Sequence, residues 1–99
     1  MAKFDVYANP SGFGYLVDLQ ADVFEAMRSR VVAPLMPIDT FEVVSERLNP
    51  KFVIDGEEFV LLTQAAAAVD VMILKQPISS LSDQFWEITN ALDMLFQGF

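Results

Sequence analysis

The acidic side chains are the first candidates for chemistry, 14 Asp and Glu against 6 Lys and Arg, with no His and no Cys. Glu57 and Glu58 are adjacent, and neighbours on a strand point to opposite faces. They make a poor pair for general acid–base work. Asp83 and Glu87 share a helix face at i, i+4, where like charges mildly repel, so a solvated face is the simpler reading. The acids show no calcium-loop spacing. The serines have no His to activate them. With no imidazole, any acid or base must be a carboxylate, Lys, Arg or Tyr, none poised near neutral pH unaided. Thiol chemistry is excluded, and zinc lacks its preferred thiolate and imidazole ligands. Gly12-Phe13-Gly14 is a lone GxG with no helix after it, which is not a phosphate cradle. Arg28-Ser29-Arg30 is the only basic cluster. In a chain of formal charge −8 it reads as salt-bridge partners for acids rather than as a phosphate or RNA contact. The same charge disfavours direct binding to DNA or an anionic membrane. No cofactor, no metal and no catalytic residue are expected.

The elements that position these residues follow from periodicity. Lys3–Ala8 alternates with period two, as does Gly14–Ala21, and Asn9-Pro10-Ser11-Gly12 between them is turn chemistry, so 3–21 reads as a hairpin with a long loop. Val31–Ile38 is apolar but holds Pro34 and Pro37, which predicts an edge or bulged strand. Thr40–Leu48 has room for a helical turn. Asp55-Gly56 between apolar runs predicts a two-residue type I′ hairpin, with Ile54 opposite Glu57 and Phe52 opposite Phe59. Both faces of that hairpin are apolar, so it should be central or covered on both sides. Val69–Lys75 reads as a further strand. Ser82 is the expected N-cap of a helix whose apolar stripe is Phe85, Ile88, Leu92 and Leu95, with Gly98 at its end. Strands first and one helix last make an α+β fold, a small twisted antiparallel sheet or open barrel with a C-terminal α-helix.

The 99 residues fit one domain, 1–99, and 54% of them are hydrophobic. So short a chain cannot hide that much apolar surface in one core, and self-association is expected. The segment MAKFDVYANP lacks the apolar stretch of a signal peptide, and Asp70 splits the run Ala65–Val69 from Val71–Leu74, so no membrane span is expected. The expected setting is cytoplasmic. The ending Asp93-Met94-Leu95-Phe96-Gln97-Gly98-Phe99 places a large apolar residue beside a glycine. Such a residue is expected to dock, either into the protein's own core and dimer seam or into a partner, and aromatics favour binding hot spots.

Taken in order, these segments resemble the CcdB family of toxins. The likeness runs from end to end: Phe4-x-Val6-Tyr7, Val17-Asp18-x-Gln20, Arg30-x-Val32-x-Pro34-Leu35, Val44-Ser45-x-x-Leu48-x-Pro50, Thr63 ahead of Val69, Leu81-Ser82, Ile88-x-Asn90-Ala91-Leu92 and Phe96-x-Gly98. No single piece is diagnostic; order, spacing and length together are. The resemblance implies an SH3-like, CcdB/MazF-like barrel and a homodimer. It also implies a non-enzymatic toxin that binds the GyrA subunit of DNA gyrase and traps the cleaved DNA–enzyme complex. A CcdA-like antitoxin would neutralise it and co-repress the operon with it, so DNA is reached only through that complex. Gyrase contact then falls on Val23, Phe24, Asp93, Phe96, Gln97, Gly98 and Phe99. The antitoxin contact is assigned to the loop Asn9, Pro10, Ser11, Gly12, Phe13 and Gly14, because loops carry partner contacts.

One departure keeps other readings open. Plasmid members of the family end in Trp-Gly-Ile, with the Trp stacked on a gyrase arginine, whereas this chain has Gln97-Gly98-Phe99, and Asp93 replaces an Asn. A lost cation–π contact is worth roughly 0.5–2 kcal/mol per site. A dimer that binds antitoxin but no longer poisons gyrase is the second reading. A ribonuclease like the related MazF/Kid toxins, with Arg28 and Arg30 on the phosphate, is the third.

Overall fold

The computed structural model describes residues 2–24, 26–39, 43 and 45–98. Its strands are β1 (Asp5–Ala8), β2 (Tyr15–Asp18), β3 (Ser29–Pro37), β4 (Lys51–Ile54), β5 (Glu57–Leu61), β6 (Ala67–Asp70) and β7 (Ser79–Ser80), followed by the helix α1 (Phe85–Gln97). They form an antiparallel sheet in the order β4-β5-β3-β2-β1-β7, with β6 also on β3. The architecture is the expected α+β one, a curled, barrel-like sheet with a C-terminal helix.

The hairpin β4–β5 follows its sequence in detail. Asp55 and Gly56 both have positive φ, 52° and 80°, as a type I′ turn requires, and Ile54 pairs with Glu57 and Phe52 with Phe59. Its surroundings differ from expectation. β4 lies at the sheet edge and Val53 is 61% exposed, so the hairpin is covered on both faces only along β5.

The expectation of an edge strand over Val31–Ile38 is also corrected: β3 is the central strand. It pairs with β2 on one side; on the other it pairs with β6 as far as Val32 and with β5 from Leu35. Pro34 falls in the gap between those two partners, where a missing N–H costs no ladder bond. Its carbonyl still accepts from the Leu62 N–H at 2.9 Å. The expected strand Val69–Lys75 is shifted and shortened. β6 ends at Asp70, whose carboxylate accepts from the Met72 N–H at 2.9 Å and turns Val71–Ile73 into a 3₁₀ turn. Ser82 does not cap the helix; it opens a 3₁₀ turn, Ser82–Gln84, and its N–H donates to the Ser80 hydroxyl. Of the expected stripe on α1, Ile88 is fully buried and Leu92 and Leu95 are half-buried, but Phe85 is exposed and Ala91 takes a core place. Within the expected turn over 40–48, residues 40–42 and 44 lie outside the described residues. The rest closes one turn, with the Asn49 N–H donating to the Ser45 carbonyl at 2.8 Å.

Both sheet faces are buried where β1, β2 and β3 run together. On the face under α1 lie Val6, Val17, Leu35, Phe52, Ile54, Phe59 and Leu61, among others, and Ile88 of the helix packs into them. On the opposite face Tyr7, Leu16 and Val32 pack under Leu74 and Val69. Asp18 and Arg30 belong to this second face by strand alternation, two residues from Leu16 and Val32.

Candidate functional site

The proposed partner contacts fall on three elements. The first is the end of α1. Its inner side buries Ile88 and Ala91, so the residues on the opposite side project outward. Asp93 is half-buried, while Phe96, Gln97 and Gly98 are exposed, Phe96 by 76%. Gly98 takes φ 80° and its N–H donates to the Met94 carbonyl at 3.0 Å. This left-handed cap is the reason a glycine ends the helix. Phe99 lies outside the described residues.

The second element is the 3₁₀ turn Asp22–Phe24, on which Val23 is 80% exposed. Of Phe24 only the backbone is described. This turn is tied down at several points. Asp22 accepts from the Lys3 N–H at 2.6 Å. Asp18 accepts from the Gln20 N–H at 2.9 Å and from Arg30 Nε and Nη2 at 2.9 and 2.5 Å. Arg30 Nη2 reaches the Gln20 carbonyl at 3.3 Å, and the Gln20 side chain accepts from the Val31 N–H at 3.1 Å. Register explains the ion pair: Asp18 lies opposite Val32, which makes Arg30 its diagonal neighbour on the same face. Both charges are fully buried.

The third element is the loop 9–14, closed by its own backbone. The Asn9 N–H donates to the Gly14 carbonyl at 3.2 Å, the Gly12 N–H to the Asn9 carbonyl at 2.8 Å, and the Ser11 N–H to the Asn9 side chain at 3.0 Å. Pro10, Ser11 and Gly12 are exposed, and Phe13 stands out at the tip. The loop forms one wall of a cleft of about 340 Å³ whose other lining includes Tyr15, Pro37, Glu57 and Phe59. Tyr15 and Phe59 meet edge to face there, with ring centroids 5.0 Å apart.

Each of the three groups is thus locally assembled. No hydrogen bond, ion pair or ring contact among the described residues joins one to another. Arg28 and Arg30, grouped in sequence, have separate fates: Arg28 is exposed and Arg30 is buried on Asp18. Sequence reasoning missed the identity of that partner, although Asp18 already stood in the Val17-Asp18-x-Gln20 segment. It also missed Trp86, 64% exposed and packed on Phe85 at 5.0 Å between ring centroids. Trp86, Asp93 and Gln97 share one helix row at i, i+7 and i+11, a signal the sequence does carry.

Among the described residues no group of three metal-ligating side chains forms, and no helix is long and apolar enough to cross a membrane. The perturbed titrating group among the described residues is Tyr7, whose pKa is raised by burial first and then by the carboxylates of Asp5 and Asp18, with Arg30 opposing. It lies in the second core face, away from solvent, which suits packing rather than proton transfer. A family model described as CcdB protein matches residues 3–98.

Proposed function

The chain belongs to the CcdB family, toxins of toxin–antitoxin modules, and from that premise we propose that it binds the GyrA subunit of DNA gyrase as a homodimer and traps the cleaved DNA–gyrase complex. Contact with gyrase runs through Val23, Phe24, Asp93, Phe96, Gln97, Gly98 and Phe99. The toxin acts by occupancy and not by catalysis. A CcdA-like antitoxin takes it off gyrase, the loop Asn9–Gly14 being its contact, and DNA is met only through that complex. The setting is cytoplasmic, where gyrase works.

The observation that carries this reading is the outward end of α1. A phenylalanine that gives up about three-quarters of its surface to water, on a helix whose inner side buries Ile88 and Ala91, is uncompensated in a free protomer. Large exposed aromatics of this kind are the usual anchors of a protein interface. Gln97 cannot stack on an arginine as a Trp would. The ring of Phe96 one residue earlier offers an apolar contact in its place. Purified protein is expected to shift gyrase toward the cleaved complex, and removal of Gly98 and Phe99 should abolish the shift. Unchanged cleavage at saturating toxin would refute the reading and leave an antitoxin-binding dimer. The ribonuclease reading has less support: of its two arginines, Arg30 is buried and committed to Asp18.

A further inference from the structure

We propose that the buried Asp18–Arg30 pair is a positioning clamp for the turn Asp22–Phe24, fixing the pose in which Val23 is presented; only the identity of the partner met by Val23 rests on the gyrase reading above. The pair is a poor device for stability. Arg30 Nη1 is buried with no hydrogen-bond partner, and so is the Tyr7 hydroxyl on the same face. A buried ion pair recovers its desolvation cost only when its remaining donors are satisfied, and apolar residues of similar volume often serve the fold as well or better. What the pair does satisfy is the start of the connection that follows β2. One Asp18 oxygen holds the Gln20 N–H, the other holds Arg30, and Arg30 in turn holds the Gln20 carbonyl. Both backbone polar groups of Gln20 are therefore fixed by one ion pair, while its side chain is strapped to the Val31 N–H on β3.

A second brace comes from the other side of the turn. Asp22 accepts from the Lys3 N–H, and Lys3 sits in the four-residue turn Ala2–Asp5, closed by the Asp5 N–H on the Ala2 carbonyl at 3.0 Å. In that turn Phe4 carries φ 72°, a left-handed conformation that a bulky residue avoids. It is held there by its buried ring, by its N–H on the Asp18 carbonyl at 2.6 Å and by its own carbonyl, which accepts from the Leu81 N–H at 2.9 Å. Strain of this kind persists where the surroundings over-determine it, and it gathers at binding and switching segments. Asp18 thus anchors both braces, by its side chain and by its carbonyl. Val23 is the exposed residue they lead to. Pre-setting such a turn removes the ordering cost that binding would otherwise carry.

The test replaces the pair by apolar residues, Asp18→Leu with Arg30→Met, in the full chain. The urea midpoint should stay at or above that of the wild type, while amides 20–23 exchange with solvent at least about tenfold faster. Amides of the β4–β5 hairpin serve as the unchanged reference. Binding to a GyrA fragment should weaken by about tenfold or more although Val23 itself is untouched. Wild-type exchange at 20–23 in the folded variant overturns the clamp. If the double variant fails to fold, Arg30→Lys decides instead: it keeps a cation beside Asp18, but a single ammonium cannot hold both the Asp18 carboxylate and the Gln20 carbonyl as the guanidinium does, and unchanged exchange at 20–23 again overturns the proposal. If the wild type does not bind GyrA, the gyrase reading falls, and the exchange result still decides whether the clamp exists.

Discussion

Gly14 lies against the Leu35 carbonyl so closely that a Cβ on it would clash with that oxygen, well inside the sum of their van der Waals radii, and would stand only 2.7 Å from the Met36 sulfur. It also takes φ +74°. The loop 9–14 can return to β2 only because this position has no side chain. Gly14→Ala is therefore expected to cost about 2–4 kcal/mol, combining a left-handed alanine with an overpacked contact. Gly12, with positive φ but open space around it, should lose only about 1 kcal/mol on the same change. Urea denaturation of the two variants checks the difference.

Breaking the buried pair from one side should cost far more than removing both halves. Arg30→Met leaves the Asp18 carboxylate buried without its cation. The expected loss is about 3–5 kcal/mol, against little or none for the paired apolar replacement. Equal losses for the single and double variants would contradict the desolvation argument.

Tyr7 gives the fold an alkaline limit. Its folded pKa lies above the ordinary value of 10.0, chiefly through burial. Above that pH the unfolded chain releases the phenolic proton while the folded chain keeps it, so ν of the unfolded state is the smaller and stability falls as pH rises. The contribution is complete below pH 10 and is lost as pH climbs through 10 toward the folded value. Tyr7→Phe should remove this part of the alkaline decline. At neutral pH it should be neutral or stabilising, because the hydroxyl is buried without a partner. Thermal melts of both proteins between pH 8 and about 11 test this.

Local chemistry was legible where a few adjacent residues decide the outcome. Asp55-Gly56 fixed both a turn type and the pairing of Phe52 with Phe59, and Gly98 marked the end of α1. The misread elements depend on distant neighbours. Pro34 argued for an edge because nothing in its own segment says that β6 and β5 divide one side of β3 between them. Val69–Lys75 has the composition of a strand, yet Asp70 folds its side chain onto Met72 and ends the ladder. Ser82 had the right type for a cap but spends its N–H on Ser80. At the candidate site the loop 9–14 and the helix end were readable as surface features. The Asp18–Arg30 contact was not, because it exists only in the register of β2 on β3.

The loop tip offers a way to separate two partners. Phe13 is 46% exposed and belongs to the loop proposed for the antitoxin, with no tie to the end of α1. Phe13→Ala should leave gyrase poisoning unchanged and weaken antitoxin binding by roughly tenfold, the scale of a modest hot spot. In cells the variant should then be harder to neutralise. Equal antitoxin affinity for variant and wild type, read by calorimetry, would move that contact elsewhere.

Phe96 and Ile88 lie on the same helix and should fail in different ways. Ile88 is fully buried under the sheet, so Ile88→Ala is expected to cost about 2–5 kcal/mol and to lower toxicity by depleting folded protein. Phe96 is turned out to solvent, and Phe96→Ala should change folding stability by no more than about 0.5 kcal/mol. If the outward end of α1 is the gyrase anchor, the same change should weaken GyrA binding by about 30-fold, the level of a 2 kcal/mol hot spot. The pair of variants therefore separates loss of fold from loss of contact. A folded Phe96→Ala protein that binds GyrA as the wild type does would remove the helix end from the interface.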